Sequence, residues 1–179
     1  MRRTRFLFVA VIFIVAVSCG SEKNTTNELH HESGISHEND GSIILDLEEA
    51  YLLQDSLHPD MNTAEWSFNI RNKGRYELWL SSFTKDTMDL KYETPVIINF
   101  RDKKIRANPV GNEIVLDTPG TGGVYFRADS RLGSVYIDEP GHYNIQIVSA
   151  KVRSADYNGN GEDSMHTQLK RLVLKPITE

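Results

Sequence analysis

Between residues 65 and 81 apolar and polar side chains alternate with a period of two. Trp66, Phe68 and Ile70 alternate with Ser67, Asn69 and Arg71; after Lys73-Gly74, Tyr76, Leu78 and Leu80 alternate with Glu77, Trp79 and Ser81. That period marks a strand with one buried and one wet face. Gly74 can take the positive φ that closes a short loop. The stretch therefore predicts two antiparallel strands of one hairpin, with Trp66 and Phe68 in the core. A lone hairpin is marginal in water, so the rest of the chain must supply more strands and a second layer.

Residues 43–47 predict a first strand. Residues 50–53 either continue it past a bulge or belong to a short amphipathic helix over 47–54. Residues 83–94 are polar and acidic and read as a long connection. Pro95 is tolerated at the start of a strand over 96–100. Further strands are predicted at 113–116, 124–127, 134–137, 143–148 and 169–174, with Pro176 closing the last. Turn chemistry separates them: Asp102-Lys103-Lys104, Thr118-Pro119-Gly120-Thr121 and Glu139-Pro140-Gly141-His142. Nine or ten short strands without a clear amphipathic helix predict an all-β fold, an antiparallel sandwich or jelly roll.

Ahead of this domain the pattern changes twice. Arg2, Arg3 and Arg5 precede an unbroken apolar run over 6–17. The run is shorter than the ~20 residues of a membrane-spanning helix and suits a signal-peptide core. It ends in Ala16-Val17-Ser18-Cys19-Gly20, which resembles the lipobox of bacterial lipoproteins, with Ala16 where a larger aliphatic is usual. The resemblance implies cleavage before Cys19 and acylation of its thiol; an ordinary secretory signal is the alternative. Cys19 is the only cysteine, so an acylated chain has no disulfide and relies on its core. Each buried acyl methylene contributes ~0.8 kcal/mol to anchoring. Residues 20–41 are polar and read as a flexible tether. Its His30, His31 and His37 read as solvated, since nothing holds them in ligand geometry. The expected organisation is thus a lipoprotein signal peptide over 1–18, a lipidated tether over 19–41 and a β-sandwich domain over 42–179. The expected location is the outer membrane, facing either the periplasm or the outside. The net charge of −5 disfavours nucleic acid.

Four pieces follow one another through the domain: LDLEEA from Leu45, W-x-F-x-I-x-x-x-G-x-Y-x-L-W-L from Trp66, V-x-I-x-x-P-G-x-Y-x-I-x-I from Val135, and L-x-x-L-x-L-x-P from Leu169. Their order resembles the β-sandwich carbohydrate-binding modules, including the galactose-binding-like modules attached to many bacterial glycosidases, over residues 42–176. The resemblance implies a glycan ligand and a structural calcium held by a glutamate of the first strand and an aspartate before the last. Glu48 matches the first; the second position, in Gln168-Leu169-Lys170-Arg171, has no carboxylate. A separate calcium reading comes from Asp156-Tyr157-Asn158-Gly159-Asn160-Gly161. Asp156, Asn158 and Asn160 place oxygen ligands at alternate positions, with glycine at the sixth and Thr167 at the twelfth. An ordinary polar turn explains the same residues.

A sugar site wants an aromatic plate beside hydrogen-bonding side chains. Trp79 is the first candidate, opposite Leu78 and Leu80 by alternation; the alternative is that a connection such as 83–94 covers it, making a second small core. Tyr136, and Tyr92 and Tyr157 in loops, are further candidates. Some jelly-roll polysaccharide lyases use Arg, Gln, His and Tyr on one sheet, and this chain offers Arg101, His142, Tyr143 and Gln146 without the lyase motifs. No nucleophile elbow, phosphate-cradling glycine loop or zinc signature is present. The sequence therefore favours a non-catalytic, lipid-anchored glycan-binding protein. The alternatives are an interaction lipoprotein docking another envelope protein and, third, a small lyase or glycoside hydrolase.

Overall fold

The computed structural model describes residues 35–116, 125–153 and 166–177. Cys19 and the signal segment, most of the tether, the turn at 118–123, Tyr157 and the loop carrying Asp156, Asn158 and Asn160 lie outside them.

The described residues form eleven strands: β1 Ile35–His37, β2 Ile43–Asp46, β3 Tyr51–Leu53, β4 Thr63–Ile70, β5 Gly74–Thr84, β6 Val96–Phe100, β7 Lys103–Ala107, β8 Glu113–Val115, β9 Phe126–Ile137, β10 Gly141–Val148 and β11 Thr167–Pro176. They build two antiparallel sheets, ordered β1-β2-β11-β5-β9-β8 and β3-β4-β10-β6-β7. The predicted all-β sandwich is the observed fold. Its principal pairs are nested: β2 with β11, β4 with β10, β5 with β9, β6 with β7. A long hairpin rolled over on itself gives this order, the jelly-roll arrangement.

The predicted hairpin of residues 65–81 does not form. β4 pairs with β3 and β10, whereas β5 pairs with β9 and β11 in the other sheet. The turn at 71–73 carries the chain across the sandwich, and Gly74 has φ +146. Alternation is the same in either case, because both strands bury one face in the same core. Trp66, Phe68 and Ile70 meet Tyr76, Leu78 and Leu80 there, with Ile98, Phe100, Ile145 and Leu172.

Three other boundaries differ from expectation. Residues 50–53 neither extend the first strand nor form a helix. A 3-10 turn over Leu47–Glu49 passes the chain to the other sheet, where it becomes the edge strand β3. The strands expected over 124–127 and 134–137 are, from Phe126 on, one strand, β9, interrupted by a bulge. Gly133 pairs with Leu78 and Arg131 with Trp79, leaving Leu132 as the extra residue. The bulge keeps Leu132 inside although the parity changes around it. Pairing also begins before Ser42, since Ile35 packs against the core and β1 adds an edge to β2.

Candidate ligand-binding groove

The outer face of the five-stranded sheet carries the polar halves of its alternating strands. Register aligns them in rows. Tyr51 of β3 lies beside Glu65 of β4, Glu65 beside Gln146 of β10, Gln146 beside Asn99 of β6, and Asn99 beside Lys104 of β7. Gln146 Nε2 donates to Glu65 Oε2 at 2.9 Å, and Asn99 Nδ2 donates to Gln146 Oε1 at 3.4 Å. A second row pairs Ser67 with Asn144, and a third Asn69 with His142. The Ser67 hydroxyl donates to Asn144 Oδ1, so at 3.0 Å it must accept from His142 Nε2–H.

An open groove of about 710 Å³ runs from this face to one end of the sandwich, where the 101–102 and 138–140 turns meet. Arg101 opens the two-residue turn between β6 and β7 with φ +54, a conformation costing about 1–3 kcal/mol in a non-glycine residue. Its guanidinium pairs with Asp138 and lies 5.8 Å from the centre of the Tyr143 ring. Each group raises or lowers the other's pKa toward the charged form: Arg101 goes up and Asp138 down. Tyr143 stacks on Phe100, and its hydroxyl donates to the Glu139 carbonyl. The four side-chain types of the lyase comparison, Arg101, His142, Tyr143 and Gln146, thus line one groove. Tyr51, 68 % exposed, stands at the edge of the first row as an aromatic plate.

The aromatic side chains singled out from sequence as sugar platforms sit elsewhere. Trp79 is on the outer face of the six-stranded sheet but only 8 % exposed. Its Nε1 donates to Glu77 Oε2 at 3.0 Å, and Lys175 Nζ lies 4.2 Å from the ring centre. Long charged side chains cover the indole, so the exposed plate expected there is absent. Tyr136 is 56 % exposed on β9, in the sheet opposite the groove. Tyr92 closes an end of the core, its hydroxyl 2.9 Å from Ser82 Oγ.

Burial pushes the Tyr92 hydroxyl well above its usual value of 10, against the opposing effect of the hydrogen bond it shares with Ser82. Above pH 10 the unfolded chain releases this proton and the folded chain keeps it. Stability is therefore intact below pH 10 and falls as pH rises further, by up to ~1.4 kcal/mol per pH unit. Tyr92→Phe should flatten this alkaline decline in urea unfolding, leaving a residual slope from Tyr76, also raised by burial. An unchanged slope would show that Tyr92 ionises in the folded protein.

The calcium expected from the family resemblance does not fit. Glu48 is 74 % exposed, and Lys170 Nζ, from the segment where the aspartate was expected, lies 4.0 Å from its carboxylate. Asp46 beside it is held by Arg171 Nε at 2.9 Å. Two cations already face these carboxylates. Among the described residues, no group of three or more His, Cys, Asp or Glu side chains could hold a metal.

No protein-family model and no curated sequence matches the chain. Solved structures do. The α-L-fucosidase from Vibrio sp. strain EJY3 aligns with 79 % of this chain at 21 % identity and a TM-score of 0.56, over 24 % of its own chain. This chain therefore spans about a quarter of the fucosidase. The GH26-CBM35 β-(1,4)-mannanase of Podospora anserina aligns with 78 % at 13 % identity and 0.44, over 28 % of its chain. The CBM36-1 domain of a multidomain xylanase, from the hindgut metagenome of Trinervitermes trinervoides, aligns with 77 % at 10 % identity and 0.39, over 99 % of its chain. What the fucosidase alignment establishes is a shared fold.

One signal for the groove was present in the sequence. The outward positions of β4, β6 and β10 are Ser, Asn, Gln and His more than Lys and Glu, an amide-rich face unlike an ordinary solvated one. Tyr51 gave no such signal, because its strand was not distinguishable from a helical turn.

Proposed function

We propose that the protein is a non-catalytic glycan-binding protein, anchored to the outer membrane through acylated Cys19, that captures polysaccharide in the groove of the five-stranded sheet. The observation that carries this reading is the row Tyr51, Glu65, Gln146 and Asn99: an exposed ring at the sheet edge followed by a chain of donors and acceptors, the last three lining an open groove. Sugars present apolar C–H faces and ranks of hydroxyls, and this row offers both complements. A quarter of an enzyme named for fucoside cleavage shares the fold, in keeping with an accessory role.

A lyase reading has one observation behind it, the convergence of Arg101, His142, Tyr143 and Gln146. Each of the four is engaged: Arg101 with Asp138, His142 with Ser67, Tyr143 with a backbone carbonyl, Gln146 with Glu65. Groups so held orient a ligand better than they exchange protons with it.

Retention of the full chain on insoluble polysaccharides tests the proposal. Gln146→Ala with Asn99→Ala should weaken retention roughly ten- to hundredfold, since each lost hydrogen bond contributes about 0.5–1.5 kcal/mol. Cys19→Ser should release the protein from the membrane fraction with retention unchanged. Retention by no polysaccharide favours the alternative of docking to an envelope protein, and release of unsaturated or reducing ends establishes catalysis.

A further inference from the structure

The charges on β7, the edge strand next to the groove-lining Asn99, narrow its ligand. We propose that the groove takes an anionic polysaccharide, a polymer of uronate or sulfated sugars, with its acidic groups against β7 and its hydroxyls over Asn99, Gln146 and Glu65. The inference rests on the glycan-binding reading above. The chain carries a net charge of −5, yet residues 101–106 hold Arg101, Lys103, Lys104 and Arg106 against Asp102 alone. All four cations are exposed. Ile105 turns inward and packs against Gly133, which leaves Lys104 and Arg106 on the outer face. Lys104 is the cross-strand neighbour of Asn99, and Arg106 of Ile97. The polar row therefore ends on a cation.

Among the described residues, Lys103, Lys104 and Arg106 make no ion pair within 4.0 Å, whereas Arg101 is held by Asp138. The carboxylate of Glu65 lies three strands away, roughly 14 Å at ~4.8 Å per strand, and accepts from Gln146. Glu65 and Lys104 thus sit at opposite sides of one surface. A chain crossing it meets hydroxyl acceptors on β4 and cations on β7, which suits a polymer bearing both hydroxyls and carboxylates or sulfates. Cations on an edge strand also discourage edge-to-edge pairing. Glutamate serves that purpose equally well, so charge reversal separates the two roles.

Affinity electrophoresis of the full chain through gels containing polygalacturonate, carrageenan or xylan, at low and high salt, tests the inference. The two acidic polymers should retard the wild type strongly and xylan little, with retardation falling as salt rises. Lys104→Glu with Arg106→Glu should weaken it roughly tenfold or more, because each lost charged hydrogen bond contributes about 1.5–3 kcal/mol. Lys104→Gln with Arg106→Gln should weaken it less, and this pair decides the matter if the reversed variant fails to fold. Equal retardation by xylan and the acidic polymers, or indifference to both variants, overturns the acidic preference and leaves glycan binding standing. Retardation by none of the three overturns both.

Discussion

Trp66→Ala is expected to lower the unfolding free energy by about 3–5 kcal/mol, and Trp66→Phe by only about 1–2 kcal/mol. Trp66 is 3 % exposed on the inner face of β4. Its Nε1 donates at 2.8 Å to the carbonyl oxygen of Asp46, the last residue of β2. β2 belongs to the six-stranded sheet and β4 to the five-stranded one, so this hydrogen bond spans the two layers. It does so where the chain leaves the first sheet through the 3-10 turn over Leu47–Glu49. Alanine removes both the ring from the core and the brace from the crossing. Phenylalanine keeps most of the volume and removes the donor. Urea unfolding followed by far-ultraviolet circular dichroism separates the two through the transition midpoint. An alanine variant within about 1 kcal/mol of wild type would show that the layers pack without this ring.

The same residue shows what the sequence could and could not disclose. Alternation placed Trp66, Phe68, Leu78 and Leu80 in one core, and they are there. It could not say whether β4 and β5 are ~4.8 Å apart in one sheet or ~10 Å apart across the sandwich. In both arrangements every second side chain points at the same interior, and the Lys73-Gly74 turn serves either. What decides is the pairing of β4 with β10 and of β5 with β9, contacts far apart in sequence that no local pattern reports.

Trp79 misled for a related reason. Alternation put it on the outer face, which is where it lies. Whether an outer residue is wet depends on its cross-strand neighbours, here Arg131 on one side and Val173 on the other, with Lys175 reaching over the ring. The groove was hidden in the same way. Its amides are visible one strand at a time, but the row from Tyr51 to Lys104 exists only once five strands have been put in order.

Gly133→Val is expected to cost about 1–3 kcal/mol in backbone strain alone, and Tm should fall by roughly 5–10 °C. Gly133 has φ +150 beside the β9 bulge, in a region that side chains other than glycine rarely enter. A Cβ there would lie 3.3 Å from Ile105 Cγ2 and 3.7 Å from its Cδ1. Ile105 stands between Lys104 and Arg106, so the clash bears on the strand that carries the exposed cations beside the groove. Two costs are combined, one in the backbone of β9 and one in its packing against β7. A double-mutant cycle of Gly133→Ala with Ile105→Ala separates them, because removing the Ile105 side chain relieves the contact and leaves φ as it was. If packing contributes, the double variant should be more stable than the sum of the single losses by more than about 0.5 kcal/mol. Additivity within that margin would assign the whole cost to the backbone, and would show that β7 can shift away from the bulge without strain.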